Sequence, residues 1–491
     1  MNDTGLRRRG RERDDGPAVA ARRAALVLAL GGLLAVLDTT VTVVALPRVV
    51  ADLGTTLPVG QWITTGYLLG IVAVIPVAGW AAARWGARHT YVAAVVVFGL
   101  ASLAAALAPE IGWLVAARVV QGLGGGLLNP VGQAIALRSV GRDQRGRVMA
   151  LLGLPVLVGP VLGPPLSGLL VDQASWRWIF AINAPLGAAV VALCLRLVPR
   201  QAPEPDRPPL DLVGLLLLPP GATLLVVAAA EVGRDGQVGA RAVLALMVAL
   251  ALLAVFVRHA LCSRRPLVDL RLLAHGPLAH GLAVLACFGA AYFGGMSVLP
   301  VVVQGVRGDS ALVAGLLTLP QAVATGLTLQ VATRAVDRCD PRRVVRLGVA
   351  LGAIGSLALL LAVRGEASYA VLGAAGALVG VGSGCTLMPA MTMAVRDLDG
   401  HRTPAGTTLL ALGQQLASAL GTAVVAVALT LLVAASTPGL DGGLEAMLAL
   451  EPKRREALQG SLANGAGAAY AAVLLGMTAA VWLAARLPRG R

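Results

Sequence analysis

Charge is scarce in this sequence: Asp, Glu, Lys and Arg together make 13% of 491 residues, about half the share of an ordinary soluble domain. Lysine occurs only at Lys453, and aromatic residues amount to 3%. So little polar surface excludes a soluble fold of this length. The five cysteines, Cys194, Cys262, Cys287, Cys339 and Cys385, show no CxxC and no paired spacing, which argues against disulfides and metal sites. The five histidines, His89, His259, His275, His280 and His401, lack metal-ligand spacing. Walker loops, GxGxxG turns after a strand and Ser/His/Asp sets are missing too, so an ATP-driven pump or a soluble enzyme has no chemistry to stand on. The expectation is a non-enzyme without cofactor or metal.

What is present is apolar. Hydrophobic residues make 57% of the chain and the mean hydropathy is +0.79. Apolar runs of about 20 residues, enough to cross a hydrocarbon core, recur from end to end. The 60 glycines suit close packing between helices. A net charge of +15 would point to nucleic acid in a soluble protein, but the arginines lie between the apolar runs. There they meet lipid headgroups and set orientation in the bilayer.

The runs predict about fourteen membrane-spanning helices. A basic tail over residues 1–23, with Arg7, Arg8, Arg9, Arg11 and Arg13, puts the N-terminus in the cytoplasm by the positive-inside rule. Six spans over 24–198 form a first bundle, the first at roughly 24 to 46. A linker with Pro203, Pro205, Pro208 and Pro209 follows, with two inserted spans, over 199–276. Six more spans and a short tail fill 277–491, the last span at roughly 464 to 486. Lys453, Arg454 and Arg455 fall, on this reading, in a solvated external loop. Arg84-Trp85-Gly86-Ala87-Arg88 after the second span is echoed by Asp337-Arg338-Cys339-Asp340-Pro341-Arg342-Arg343 after the tenth, as a duplicated six-helix unit would be. The fold class is therefore an all-α polytopic membrane protein of two six-helix bundles with two inserted helices.

Several strings resemble the fourteen-span drug:proton antiporter family of the major facilitator superfamily, from Leu37 onward. Leu37-Asp38-Thr39-Thr40-Val41-Thr42-Val43-Val44-Ala45-Leu46-Pro47 is similar to its LDxTIVNVALP signature, with Val43 in place of Asn. Arg118-Val119-Val120-Gln121-Gly122-Leu123-Gly124 resembles RxxQGxG. Gly159-Pro160-Val161-Leu162-Gly163-Pro164 resembles the glycine-proline motif of exporters. Trp176-Arg177-Trp178-Ile179-Phe180-Ala181-Ile182-Asn183-Ala184-Pro185-Leu186-Gly187 follows WRWIFxINxPxG almost residue for residue, the most specific of these signals. The loop motif GxLaDRxGRr is matched at Gly79, Arg84, Gly86 and Arg88, with Ala83 replacing its Asp, and again at Asp337 and Arg338. That replacement puts the family's latch between the halves in question.

Asp38 is the leading candidate site residue, since an acid inside a span costs roughly 2.5 to 3.5 kcal/mol and usually marks a proton or substrate path. It should lie about 21 Å from the cytoplasmic edge, and Arg118 about 10 Å from the outer edge, hence at similar depth. Arg118 could lower the cost of an ionised Asp38 in a proton-coupling pair, or the two could form a static tie between spans one and four. Gly159, Pro160, Gly163 and Pro164 read as a hinge or as a tight packing surface. Tyr67, Gln121, Asn183, Gln304, Gln321, Gln414 and Gln415, with Gln61, are polar candidates for a mostly apolar substrate cavity or for bonds between helices.

The resemblance implies alternating access, proton antiport and export of hydrophobic or cationic compounds, driven by the proton gradient without a cofactor. The partners are a lipophilic or cationic small molecule, protons and the lipid bilayer, with no nucleic acid, and the chain works as a monomer. It would sit in the bacterial cell (inner) membrane with both termini cytoplasmic. An exporter dedicated to one endogenous metabolite or self-made antibiotic, and a receptor or scaffold that kept the fold without transport, are the alternatives.

Overall fold

A computed structural model of the chain describes residues 17–487 apart from 56, 61, 142–143, 202–209, 236–238, 265, 310, 337–339, 399–401 and 438–450. Its regular elements are helices. In hydrocarbon every backbone N–H and C=O must be satisfied within the chain, and a helix does this inside one segment.

Among the described residues fourteen long helices follow one another: α1 Pro17–Asp52, α2 Trp62–Trp85, α3 Ala87–Ala106, α4 Ile111–Arg138, α5 Leu154–Gln173, α6 Asn183–Leu197 and α7 Leu212–Asp235. Then come α8 Ala240–Cys262, α9 Gly276–Val301, α10 Ala311–Val336, α11 Pro341–Arg364, α12 Tyr369–Ala394, α13 Thr403–Ser436 and α14 Pro452–Ala485. Among the described residues eleven helices are long and apolar enough to cross a membrane. The other three long helices, α5, α7 and α10, hold the fifth, seventh and tenth expected positions.

Details depart from the sequence reading where local chemistry decides. Pro76 has no N–H to donate, and α2 passes through a 3-10 turn at Ile75–Val77. A short helix, Arg145–Leu152, precedes α5 and ends at Gly153. Lys453, Arg454 and Arg455 lie in the first turn of α14 and not in a loop, because Pro452 opens the helix at its first position. Gln459 then donates to Glu366 at 2.9 Å, holding that extension against the turn between α11 and α12.

Helices α1 to α6 pack on one another, and so do α9 to α14. Small residues let them approach. A Cβ on Gly122 of α4 would lie 3.0 Å from Gly70 Cα of α2 and against the Tyr67 carbonyl oxygen. Between α2 and α3 the chain turns at Gly86, whose φ of 84° favours glycine and whose Cβ would sit 2.5 Å from the Gln201 carbonyl oxygen.

The inserted pair packs on itself, and α7 also touches α2 of the first half and α13 of the second. Its base is fixed by Asp211, which accepts from the backbone N–H of Gly214 at 2.8 Å and of Leu267 at 2.9 Å, and from His259 Nε2 at 2.8 Å. Burial pushes the Asp211 carboxyl up, but these donors outweigh it and hold it below the usual carboxylate range.

The halves meet near the face where α1 begins, the basic face. There Arg145 Nη1 donates to the carbonyls of Val395 at 3.4 Å and Arg396 at 3.2 Å, and Gln330 Nε2 donates to the Ala150 carbonyl at 2.8 Å. Gly153 lies against Leu329, and Gly79 approaches Thr408.

Candidate functional site

Asp38 lies in α1 beyond its middle, 3% exposed, and Arg118 in α4 is fully buried. The two form an ion pair between Arg118 Nη1 and Asp38 Oδ2. The depths expected from position along the two helices thus converge on one place.

Neighbouring helices complete the cluster. Gln121, one turn after Arg118 on α4, accepts from Arg118 Nη1 at 2.8 Å and donates through Nε2 to Asp38 Oδ1 at 2.8 Å. Asn183, the first residue of α6, donates to Asp38 Oδ1 at 2.9 Å and to Ser102 Oγ of α3 at 3.0 Å. Arg118 Nε donates to the Ile63 carbonyl of α2 at 3.2 Å. The guanidinium stacks on the Tyr67 ring, 4.3 Å from its centroid, and lies 5.5 Å from that of Phe180. Ring faces favour a cation that has been taken out of water. Arg118 Nη2 and Tyr67 Oη have no hydrogen-bond partner among the described residues.

This arrangement answers the cost of burying two charges: each is paired, and the carboxylate accepts from three side chains. Removing one member of a buried pair typically costs about 3–5 kcal/mol, because it strands the other charge.

Helix α5 holds α1 around Asp38. Gly159 lies against Val36 and Gly163 against Thr40, so both glycines sit where a Cβ would collide. Thr40 Oγ1 donates to the Gly159 carbonyl at 3.5 Å and Ser167 Oγ to the Val41 carbonyl at 3.0 Å. The helix runs unbroken through Pro160 and Pro164. These contacts pack α5 closely on α1.

At the far face, Trp176 Nε1 and Arg177 Nη1 donate to Asp52 Oδ2 at 2.8 and 2.9 Å. The bond from Trp176, with that from Arg177, keeps the Asp52 carboxyl below its ordinary range. The string from Trp176 to Asn183 therefore touches α1 at two acids, Asp52 and Asp38.

The polar cavity candidates separate into groups. Tyr67, Gln121 and Asn183 belong to the ion cluster. Gln321 is buried between α10 and α12, beside Gly376 and Gly380. Gln304 bonds its own helix at the Pro300 carbonyl, 3.3 Å away, and Gln414 and Gln415 are half-buried on α13. Gln61 lies outside the described residues. Ser102 was not singled out in the sequence, since nothing in its neighbourhood marks it as more than a small residue in a span.

Of the loop motif, Gly79 reaches the second half at Thr408, while Arg88 Nη2 donates to the Leu195 carbonyl within its own half at 2.6 Å. Gly86 forms the turn, Arg84 is half-buried, and Asp337 and Arg338 lie outside the described residues.

In the second half Tyr292 stacks on Phe288 with centroids 6.0 Å apart, and its hydroxyl is 3.5 Å from Thr325 Oγ1. Phe293 and Met296 are 37% and 38% exposed. They lie on the face of α9 opposite Ala291 and Gly295, which pack on α14. Among the described residues no group of His, Cys, Asp or Glu could hold a metal ion.

Residues 28–422 match the family model described as Major Facilitator Superfamily. The chain is 38% identical over 415 residues to a "Multidrug resistance protein B homolog" of Mycobacterium tuberculosis, covering 84% of this chain and 77% of that one. It is 34% identical over 403 residues to a "Putative multidrug resistance protein MdtD" of Cronobacter sakazakii, covering 81% and 84%. Among solved structures, the proton:xylose symporter XylE superposes with a TM-score of 0.64 at 16% identity, covering 96% of this chain and 97% of that one. The human organic anion transporter MFSD10 gives 0.62 at 17%, covering 94% and 99%.

Proposed function

The chain belongs to the major facilitator superfamily, and we propose that within it the protein is a proton-coupled antiporter exporting hydrophobic or cationic compounds by alternating access. The observation that carries this reading is the sealed Asp38–Arg118 pair, whose carboxylate is surrounded by donors. An ionisable pair kept inside the membrane at this cost is suited to taking and releasing a proton. When Asp38 binds a proton, Arg118 loses its counter-charge and must find another. When a cationic substrate approaches, it competes with Arg118 for the carboxylate. Either event alters the fit of α1 against α4, α5 and α6, which links protonation to movement of the helices.

The basic face is the cytoplasmic one on this reading, because arginines gather there. The contacts of Arg145 and Gln330 then close the cytoplasmic side, leaving the site to face outward after its own rearrangement. Gln414, half-buried on α13 and beside Gly289 of α9, is one of the few polar groups that a mostly apolar pocket for an amphiphilic molecule requires. Export, and not import, is supported by the glycine-proline motif and by the names of the two relatives.

The test uses proteoliposomes loaded with a pH-sensitive dye. Addition of lipophilic cations and neutral antibiotics to one side should move protons in the opposite direction to the compound. Compound transport that proceeds at the same rate after a protonophore dissipates the gradient would refute proton coupling.

A further inference from the structure

The string from Trp176 to Gly187 contains one amide side chain, Asn183, which is buried. Its Nδ2 makes two hydrogen bonds, to Asp38 Oδ1 at 2.9 Å and to Ser102 Oγ at 3.0 Å. Ser102, also buried, donates its hydroxyl proton to the Phe180 carbonyl at 2.9 Å. Toward Asn183 the hydroxyl can therefore only accept. That commits the amide: its NH2 group faces Ser102 and Asp38, and its oxygen is turned away.

Gln121 is committed in the same manner. Its oxygen accepts from Arg118, which has only donors, so its NH2 group faces Asp38 Oδ1. Oδ1 thus meets two N–H groups, neither of which can turn to accept a proton from it. A proton can settle on that oxygen only if one of these bonds breaks.

We propose that Asn183, fixed by Ser102 and the Phe180 carbonyl, is a positioning residue that sets the pH at which Asp38 exchanges its proton. The proposal rests on the reading of Asp38 as the proton site. It accounts for both ends of the most specific string in the sequence. Trp176 and Arg177 fasten its start to Asp52, and Asn183 delivers a donor of fixed direction to Asp38. Two other groups face the carboxyl from packed helices, Arg118 of α4 and Tyr67 of α2. Arg177, before α6, is committed to Asp52, and the described residues of α3, α5 and α6 place no ionisable group beside Asp38. Asn183 and Gln121 are thus the uncharged donors of the site, and a change in either leaves its formal charges intact.

The experiment is an infrared titration of protonated carboxyl groups in the full chain reconstituted in lipid, comparing native protein with Asp38→Asn, Asn183→Leu and Ser102→Ala. A carboxyl band missing from Asp38→Asn identifies that residue. In Asn183→Leu its midpoint should rise by about one to two pH units, the worth of one hydrogen bond to a charged group. Ser102→Ala, which frees the amide to turn, should move it in the same direction by less. A merely structural Asn183 would lower thermal stability and leave the midpoint at its native value in both variants, which overturns the proposal while Asp38 remains the proton site. A spectrum unchanged by Asp38→Asn overturns both. Should Asn183→Leu fail to fold, Ser102→Ala decides alone: its midpoint rises or the proposal falls.

Discussion

Arg145, which opens the short helix before α5, donates to the carbonyl of Arg396, just past α12 in the other half, over 3.2 Å. A guanidinium at that place satisfies carbonyls left open by the end of a helix and meets the negative end of its dipole. Gln330 on Ala150 adds a second tie at 2.8 Å. The closure of the basic face thus includes two residues outside the loop motif, whose Arg88 is engaged within its own half.

Arg145→Ala should therefore favour the state open at the basic face. Loss of about 1.5–3 kcal/mol, as for a hydrogen bond from a charged group, shifts a two-state population roughly 10- to 150-fold. Spin labels on the basic ends of α5 and α12 should show a longer distance in the variant. Unchanged distance distributions would remove Arg145 from the closure.

Gly122→Val should be disruptive for a steric reason. The Cβ meets the Tyr67 carbonyl and Gly70, both backbone groups that cannot move aside. Overpacking of this type costs about 1–3 kcal/mol or more. Thermal unfolding in detergent should show a lowered midpoint, and Gly99→Ala, whose Cβ has only ordinary contacts 3.9 Å away, should not.

Asp211 yields a pH dependence at the base of the inserted pair. Its carboxyl is held below the ordinary value, so its stabilisation is complete above the unfolded value of about 3.9 and is lost as pH falls through the lower folded value. Hydrogen exchange at the Gly214 and Leu267 amides, corrected for intrinsic rates, should stay protected down to about pH 4, near the unfolded value, and open in stronger acid. Asp211→Asn should expose one of the two amides at neutral pH. Equal protection in native and variant protein would dissociate these amides from the carboxyl.

Arg177→Ala should affect transport little. The pair with Asp52 is exposed on both sides, and such pairs contribute about 0–1 kcal/mol. Efflux rates within about fivefold of native are expected, given that ceiling. A complete loss of efflux in a folded variant would give the far-face tie a larger part.

The fourteen helices were legible because a span needs about 20 apolar residues and little else interrupts it. The pairing of Asp38 with Arg118 followed from depth along two antiparallel helices. Depth is not direction, however, and this is why Tyr67, Gln121 and Asn183 looked like cavity residues and not members of the ion cluster. Gln121 carried a usable signal, since it lies three positions after Arg118 and so on the same helix face. Asn183 carried none beyond the specificity of its string, because its contact depends on how α6 is rotated against α1. The start of α14 was missed because a charged turn reads as loop, although Pro452 after Glu451 is a helix-opening sequence.

The central claim is that Asp38 couples the proton to substrate movement, and its most direct test compares native protein with Asp38→Asn in proteoliposomes under two regimes. With an imposed pH gradient the native chain should accumulate a lipophilic cation, and Asp38→Asn should not. In exchange of a labelled for an unlabelled neutral compound without a gradient, which does not call on the carboxylate, Asp38→Asn should still show movement through a folded protein. Gradient-driven accumulation by Asp38→Asn equal to that of the native chain would contradict the account and leave the buried pair as a structural tie.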